Sequence, residues 1–280
     1  MASQAASCAL SSAQNQGLGA EMGKSAKGKA SDANASRLGP IVAGAIRNVG
    51  TGFTSLHFVE DSFDNKDDVI SMLSHFVMTK STFAPHLHKD LRILTMLFED
   101  SRGNLVNRDT TRGAVALEAG DVYSLSSGAS VVHEQTPSDG ASIHGLQIFI
   151  KSSSKSVGTL AHACCTRNSE VPVIADTGHR IRIVPCTDEL GSNVRSKNDD
   201  VELLDVVICA AATYEFGLRR DRKAWIYVVS GHLQVVSAEE NRALEAGQLI
   251  TLSAGAQMNV VLAPAVLAHC VILSVSHPPG

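Results

Sequence analysis

The sequence predicts an all-β protein built from two copies of one β-domain. Two observations support this prediction: many short apolar runs separated by turn residues, and an internal repeat in which residues 117–133 recur at 244–260. Long helical periodicity is missing, so an alternating α/β fold is not expected.

The short apolar runs begin at residue 41, and Gly, Asp, Asn and Ser separate them. Runs such as RILTMLF, LLDVVIC, AWIYVV and MNVVL have the length of strands and are rich in β-branched residues. Many short strands at close spacing predict a sandwich or a barrel. The most apolar long window, residues 258–275, is interrupted by Asn259, Pro264 and His269. We therefore expect two strands joined at the proline there, not a membrane span.

The repeat matches LEAGDVYSLSSGASVVH at residues 117–133 with LEAGQLITLSAGAQMNV at residues 244–260. Self-similarity of this kind predicts two structural units in tandem. We place the first domain at residues 41–150 and the second at 159–280. The segment KSSSKSVG, residues 151–158, is the predicted linker.

The first 40 residues consist mainly of Ala, Ser, Gly, Gln and Lys and contain no aromatic residue. Such a segment buries too little apolar area to offset the entropy of ordering, which predicts a flexible low-complexity tail. An import presequence is the alternative, because acidic residues are scarce. However, the first arginine of the segment is Arg37, and the segment lacks the apolar core of a secretory signal peptide.

Charge and cysteine content narrow the classes of partner. A net charge of -4 and a pI near 6.2 give no general attraction to nucleic acid or to anionic membranes. The six cysteines follow neither a zinc-finger spacing nor a disulfide framework. We interpret them as reduced thiols of an intracellular protein, cytoplasmic or nuclear, with organellar import as the alternative.

Two histidine-containing pairs in the first repeat predict a metal site. His86 and His88 stand two residues apart in APHLHKD, and His133 and Gln135 have the same spacing in VVHEQT. Residues i and i+2 of a strand point to the same face, about 6.5–7 Å apart, so each pair can reach one ion. Glu134 should point to the opposite face. Three imidazoles and one oxygen donor suit iron, copper, nickel or zinc with open coordination positions.

The second repeat does not carry these residues. The position that matches His133 is Val260, and the stretch YEFGLR at 214–219, which matches the first pair, contains no histidine. The metal site is therefore expected in the first domain alone.

These residues resemble the pirin family of bicupins. The resemblance rests on Pro85, His86 and His88 before a strand, EAGD at 118–121, SGASVVHEQ at 127–135 and HGLQIFI at 144–150. It covers about residues 41–275 and implies two tandem cupin barrels, each a double-stranded β-helix. It also implies one metal ion, generally Fe²⁺, held in the first barrel by three histidines and one glutamate.

Carried onto this sequence, the resemblance makes His86, His88 and His133 ligands and places Gln135 at the position of the family's glutamate. A glutamine offers an amide oxygen but no negative charge, so binding of a divalent ion should weaken. A β-bulge that turns Glu134 inward is the alternative. Of these two candidate catalytic residues, Glu134 would then act as the base in place of the family's carboxylate, whereas Gln135 would only position the substrate. Asp90 also replaces a glycine that is common in the family.

The resemblance implies a metal-dependent dioxygenase of the quercetin 2,3-dioxygenase type, acting on a small, flavonol-like aromatic substrate. The alternative is a non-enzymatic, metal- or redox-responsive regulator, or a subunit of a larger assembly with a protein partner. A cupin that binds a sugar or another effector without metal is a third reading, which the three histidines disfavour. Direct binding of nucleic acid or of a membrane is not expected.

Overall fold

The computed structural model describes residues 37–63, 69–80, 83–152, 158–186, 201–238, 240–253 and 257–276. These residues form strands β1 to β22 and two short 3₁₀ helices, Glu60–Phe63 and Asn168–Glu170. They contain no α-helix, and thus no helix that could cross a membrane. The predicted all-β class is confirmed.

The first barrel consists of a seven-stranded sheet, in the order β12-β9-β6-β11-β4-β3-β2, and a four-stranded sheet, in the order β5-β10-β7-β8. Its strands are β2 (Ala45–Asn48), β3 (Phe53–Val59), β4 (Ile70–Met78), β5 (Phe83–His88), β6 (Leu91–Leu97), β7 (Leu105–Asp109), β8 (Gly113–Leu117), β9 (Val122–Ser126), β10 (Val131–Pro137), β11 (Ile143–Lys151) and β12 (His162–Thr166).

The second barrel repeats this plan with sheets in the orders β1-β20-β17-β22-β15-β14-β13 and β16-β21-β18-β19. Its strands are β1 (Arg37–Ala43), β13 (Val173–Ala175), β14 (His179–Val184), β15 (Val201–Ile208), β16 (Tyr214–Leu218), β17 (Arg222–Ser230), β18 (His232–Val236), β19 (Asn241–Glu245), β20 (Gln248–Ser253), β21 (Met258–Ala263) and β22 (Ala268–Ser276). Pro264 lies between β21 and β22, as the sequence predicts.

Two strands pair with the barrel that lies on the other side of the predicted linker in sequence. Strand β1 pairs with β20 of the second barrel, and β12, which follows the linker in sequence, pairs with β9 of the first. Residues 37–40 of the predicted tail are therefore part of β1. Residues 1–36 of that tail and residues 153–157 of the linker lie outside the described residues.

The apolar side chains form three clusters, one inside each barrel and one between the two seven-stranded sheets. The side chains of strand β11 alternate between the interface of the two barrels and the interior of the first barrel. Leu146, Ile148 and Ile150 pack in the cluster between the barrels, whereas Gln147 and Phe149 line a cavity of the first barrel. Because alternate residues of a strand point to opposite faces, one strand supports both the interface and the interior.

The LEAG repeat marks equivalent turns in the two barrels. Gly120 precedes β9 and Gly247 precedes β20, and each has a φ of 82°. This left-handed backbone conformation favours glycine, which explains why the residue recurs in both copies of the turn.

Candidate metal centre

The three predicted histidine ligands converge where β5 and β10 pair. His133 on β10 lies directly opposite His86 on β5, and His88 follows two residues later on the same strand. The imidazole ring centroids are 4.5 to 4.9 Å apart. One nitrogen of each ring lies within 4.8 Å of the corresponding nitrogens of the other two. A single ion can therefore reach all three rings.

Hydrogen bonds to the outer nitrogens set the ring tautomers. Nδ1 of His86 lies 2.8 Å from the carbonyl oxygen of Ala84, and Nδ1 of His133 lies 3.4 Å from Oδ1 of Asn107. Both oxygens only accept, so each Nδ1 carries the proton and each Nε2 keeps its lone pair. The two Nε2 atoms are 3.1 Å apart. Two lone pairs at this distance repel each other unless a cation lies between them.

The surroundings keep the rings of His88 and His133 neutral, which is the form that binds metal. Burial, together with the neighbouring His86 and His88, lowers the pKa of His133 to about 3. Burial and the neighbouring His86 lower the pKa of His88 to about 4. The Nε2 atom of His88 is buried and has no hydrogen-bond partner among the described residues. The donor set therefore fits a transition-metal ion.

The fourth predicted ligand, Gln135, lies on the same face of β10 as His133 and is 2% exposed. Its Oε1 accepts a hydrogen bond from Nε2 of Gln147 at 3.1 Å. Its own Nε2 is buried and finds no partner among the described groups. The structure thus brings Gln135 beside the histidines but engages its oxygen elsewhere.

The predicted alternative for Glu134 does not match the structure. A β-bulge is present, but the extra residue lies on β5, between Phe83 and His86, and not on β10. Glu134 therefore keeps the strand alternation and points away from the histidines. Its Oε1 forms an ion pair with Nε of Arg108 at 3.0 Å. No carboxylate from this position completes the centre.

Residues 46–150 match the sequence model of the pirin family. This segment runs from β2 to β11 and includes all three histidines. Residues 46–150 belong to the pirin family.

Similar proteins cover both barrels of the chain. A pirin-like protein of Arabidopsis thaliana is 20% identical over 194 residues, which span 69% of this chain and 70% of the plant protein. A quercetin 2,3-dioxygenase from Acinetobacter baumannii has a TM-score of 0.72 at 18% identity and covers 87% of each chain. The pirin YhhW from Escherichia coli, in complex with nickel(II), has a TM-score of 0.64 at 17% identity and covers 85% of this chain and 100% of its own. These structural likenesses confirm the bicupin fold.

A hydrogen-bonded chain lies behind His133, one of the three histidines. Asn107 donates from Nδ2 to Asp109 at 3.1 Å, and Tyr123 donates its hydroxyl proton to the same carboxylate. Burial raises the pKa of Asp109, but hydrogen bonds from Thr111 and Tyr123 outweigh it and hold that pKa below its usual value. Partners of this kind orient histidine ligands. No sequence motif marks these partners, although Asn107 and Asp109 alternate on β7 as His133 and Gln135 do on β10.

A cavity of about 190 Å³ opens beside the histidines and is lined in part by His86. Four phenylalanines contribute most of its apolar wall: Phe53, Phe76, Phe83 and Phe149. Its polar groups come from His86, Gln135, Gln147, Arg47, His57 and Ser74. None of the described residues that line it is a carboxylate. Arg47 and His57 lie on β2 and β3, outside the repeat, and no sequence pattern predicts them as site residues.

Proposed function

We propose that the pirin domain binds one divalent transition-metal ion, Fe²⁺ in the active form, and catalyses oxidation of a small aromatic enol by O₂. The observation that carries this proposal is the pair of Nε2 lone pairs of His86 and His133, 3.1 Å apart, with Nε2 of His88 beside them. A bound iron ion would supply Lewis acidity and one-electron chemistry toward O₂. The fold shared with a quercetin 2,3-dioxygenase supports the same reaction class.

The cavity favours a flat aromatic substrate. Its phenylalanine walls offer ring faces and edges, which pack well against another aromatic ring. A dry cavity of about 150 Å³ is large enough for one benzene ring. The cavity of 190 Å³ is therefore large enough for one substituted ring, and a larger flavonol would extend toward the exposed Arg47.

Among the cavity-lining residues that are not assigned to the metal, we assign to the His57 imidazole the role of taking the substrate's hydroxyl proton. The family's carboxylate is missing, and His57 is a titratable group in the cavity wall. Burial and the nearby Arg47 guanidinium lower the pKa of His57, which keeps the ring neutral and able to accept a proton. Its Nε2 lies 3.2 Å from the hydroxyl of Ser74, which orients the ring. Arg47 would stabilise the phenolate that forms.

Oxygen uptake by iron-loaded protein tests the proposal. Protein purified without metal and reconstituted anaerobically with Fe²⁺ should consume O₂ when quercetin is added. His133→Ala should abolish both the bound iron and the uptake, whereas His232→Ala, an exposed histidine of the second barrel, should change neither. Stoichiometric iron without oxygen uptake, tested with quercetin and with simpler aromatic enols, would contradict the enzymatic proposal.

His57→Gln separates proton transfer from metal binding. The substitution keeps a hydrogen-bonding side chain but removes the base, so kcat/KM should fall by ~10²–10⁴-fold. Iron content should remain that of the unmodified protein. Equal activity in the variant would show that the proton leaves by another route.

A non-enzymatic, metal-responsive protein is the second candidate. The observation that favours it is the neutral amide of Gln135 where the family has a carboxylate, together with the outward direction of Glu134. A metal site with weaker hold on its ion and no carboxylate base suits sensing better than turnover. Reversible, stoichiometric metal binding without oxygen uptake would favour this candidate.

A further inference from the structure

Gln135, Gln147 and Thr95 form a hydrogen-bonded trio next to the three histidines. Gln147 on β11 lies directly opposite Thr95 on β6. Its Nε2 donates to Oγ1 of Thr95 at 3.1 Å and to Oε1 of Gln135 at 3.1 Å. Thr95 and Gln135 are each 2% exposed, so water does not compete freely for these groups.

This trio has two complete arrangements. In the observed one, Gln147 donates to both neighbours. If both amides rotate by half a turn, Oε1 of Gln147 accepts from Nε2 of Gln135 and from the Thr95 hydroxyl, which can donate as well as accept. Neither hydrogen bond is lost, and Nε2 of Gln147 then faces the cavity. Rotation of Gln135 alone would set two NH₂ groups against each other, so the two amides must turn together.

The two arrangements differ in what Gln135 offers to the centre. In the observed one its oxygen is engaged by Gln147 and its buried Nε2 is left without a partner. An amide nitrogen has no lone pair to give to a metal, and its N–H groups repel a cation. In the other arrangement the amide oxygen is free to bind. A glutamate at position 135 would accept at either end and would not have this choice.

We propose that Gln147 is the positioning residue of this centre: a joint rotation of Gln147 and Gln135, with Thr95 changing from acceptor to donor, turns Oε1 of Gln135 away from Gln147 and toward the ion. The inference rests on the proposed metal site. It goes beyond that site because it assigns the control of the fourth ligand to a residue that does not touch the metal.

Gln147→Glu tests the inference because a carboxylate can only accept. It should fix Nε2 of Gln135 toward position 147 and leave Oε1 for the ion. Zn²⁺ affinity, measured by competition with a chromophoric chelator, should rise by about tenfold, the lower end of what outer hydrogen-bond partners of metal sites contribute. An affinity equal to that of the unmodified protein would overturn the inference.

The added charge needs two controls. Gln234→Glu places the same charge on an exposed strand of the second barrel and should leave Zn²⁺ affinity unchanged. Gln147→Glu combined with Gln135→Leu should show no gain over Gln135→Leu alone, because the residue to be oriented is gone. The same tenfold gain in both backgrounds would mean that the charge acts directly on the ion, which would overturn the inference.

Side-chain amide NMR of the unmodified protein does not depend on whether any variant folds. It also separates this inference from the proposed function. Without metal, the NH₂ protons of Gln135 should contact histidine ring protons, and with Zn²⁺ they should contact Gln147. Contacts to Gln147 in the metal-free protein would overturn the inference. If Zn²⁺ does not bind at all, the proposed metal site fails, while the metal-free spectrum still decides the amide arrangement.

Discussion

Up to the β-bulge on β5, strands β5 and β10 of the first barrel pair in the same register as β16 and β21 of the second. His133 lies opposite His86, and Val260 lies opposite Phe216. The next pairs follow the same rule: Val131 lies opposite His88, and Met258 opposite Leu218. The second neighbours of β10 and β21 are β7 and β18. Asn107 of β7 lies opposite Gln135, and Val235 of β18 lies opposite Leu262. Equivalent backbones therefore carry a polar set in one barrel and an apolar set in the other.

The difference shows that the strand framework does not need the polar residues. In the second barrel, Leu218, Val235, Val260 and Leu262 are at most 2% exposed and belong to its interior cluster. In the first, the equivalent positions leave buried nitrogens of His88 and Gln135 without partners. Buried polar groups of this kind reduce stability, so their presence is explained by a ligand and not by folding.

The largest expected effect comes from putting a histidine into the apolar set. Val260→His should destabilise the protein by roughly 2–5 kcal/mol, because it adds volume and an unpaired polar ring to a filled core. The converse change, His133→Val, should alter the stability of the metal-free protein by less than ~1 kcal/mol. Urea unfolding in the presence of a chelator measures both.

The matched control for this pair is Val266→His at a half-exposed valine of the second barrel, which should have little effect. If Val260→His were as stable as Val266→His, the core of the second barrel would accept a histidine. The apolar set there would then not exclude a metal site.

Metal-linked stability is the next largest effect. Ni²⁺ or Zn²⁺ at a hundred times its dissociation constant should stabilise the unmodified protein by about 2.7 kcal/mol. His88→Leu, which introduces the residue found at the equivalent position of the second barrel, should remove this gain. His232→Leu at an exposed position is the control. Thermal unfolding with and without the ion measures the difference, and a gain that survives His88→Leu would place the ion elsewhere.

Acid should act on a histidine at the interface that both barrels share. His75 accepts from the Tyr227 hydroxyl at Nδ1 and donates from Nε2 to Nε2 of His144, whose Nδ1 donates to Asp100 at 2.8 Å. Burial, followed by the neighbouring His144 and His269, lowers the pKa of His75 to about 3, although Asp100 opposes the shift. The folded state therefore keeps this ring neutral.

In the unfolded chain the pKa of His75 is near 6.5, so between pH 6.5 and pH 3 the unfolded chain binds a proton that the folded protein does not bind. Stability should be fully present above pH 6.5 and should fall as the pH drops toward 3, by up to about 1.4 kcal/mol per pH unit from this group. Chemical unfolding of the metal-free protein at several pH values measures the slope. His75→Leu should reduce it, and an unchanged slope would assign the acid sensitivity to other groups.

The sequence carried the local information but not the long-range pairing. Strand-length runs such as AWIYVV became β17, and the repeat correctly aligned Val260 with His133, because both follow from alternation and turn chemistry. The pairing of β1 and β12 across the linker could not be predicted, since it depends on which sheet edge each strand meets. The bulge on β5 and the direction of the Gln135 amide depend on neighbouring strands, so single-strand periodicity could not supply them.

The smallest expected effect lies in the turn that follows the histidine strand. Asp90 has a φ of 54°, whereas no described residue of the turn after β16 in the second barrel has a positive φ. Its Oδ1 is also buried without a hydrogen-bond partner in the described part of the chain. The backbone N–H and carbonyl of Asp90 bond to Gly128 and Ser152, and a glycine would keep both bonds.

Asp90→Gly should therefore raise the free energy of unfolding by ~0.5–1 kcal/mol, because relief of the left-handed conformation and of the buried oxygen exceeds the added freedom of the unfolded chain. Asp90→Ala removes the same carboxylate but keeps a Cβ, so it should gain nothing or lose stability. Urea midpoints at constant m-value compare the three proteins. Equal gains for glycine and alanine would assign the cost to the carboxylate and not to the backbone, and the turn would then cease to distinguish the two barrels.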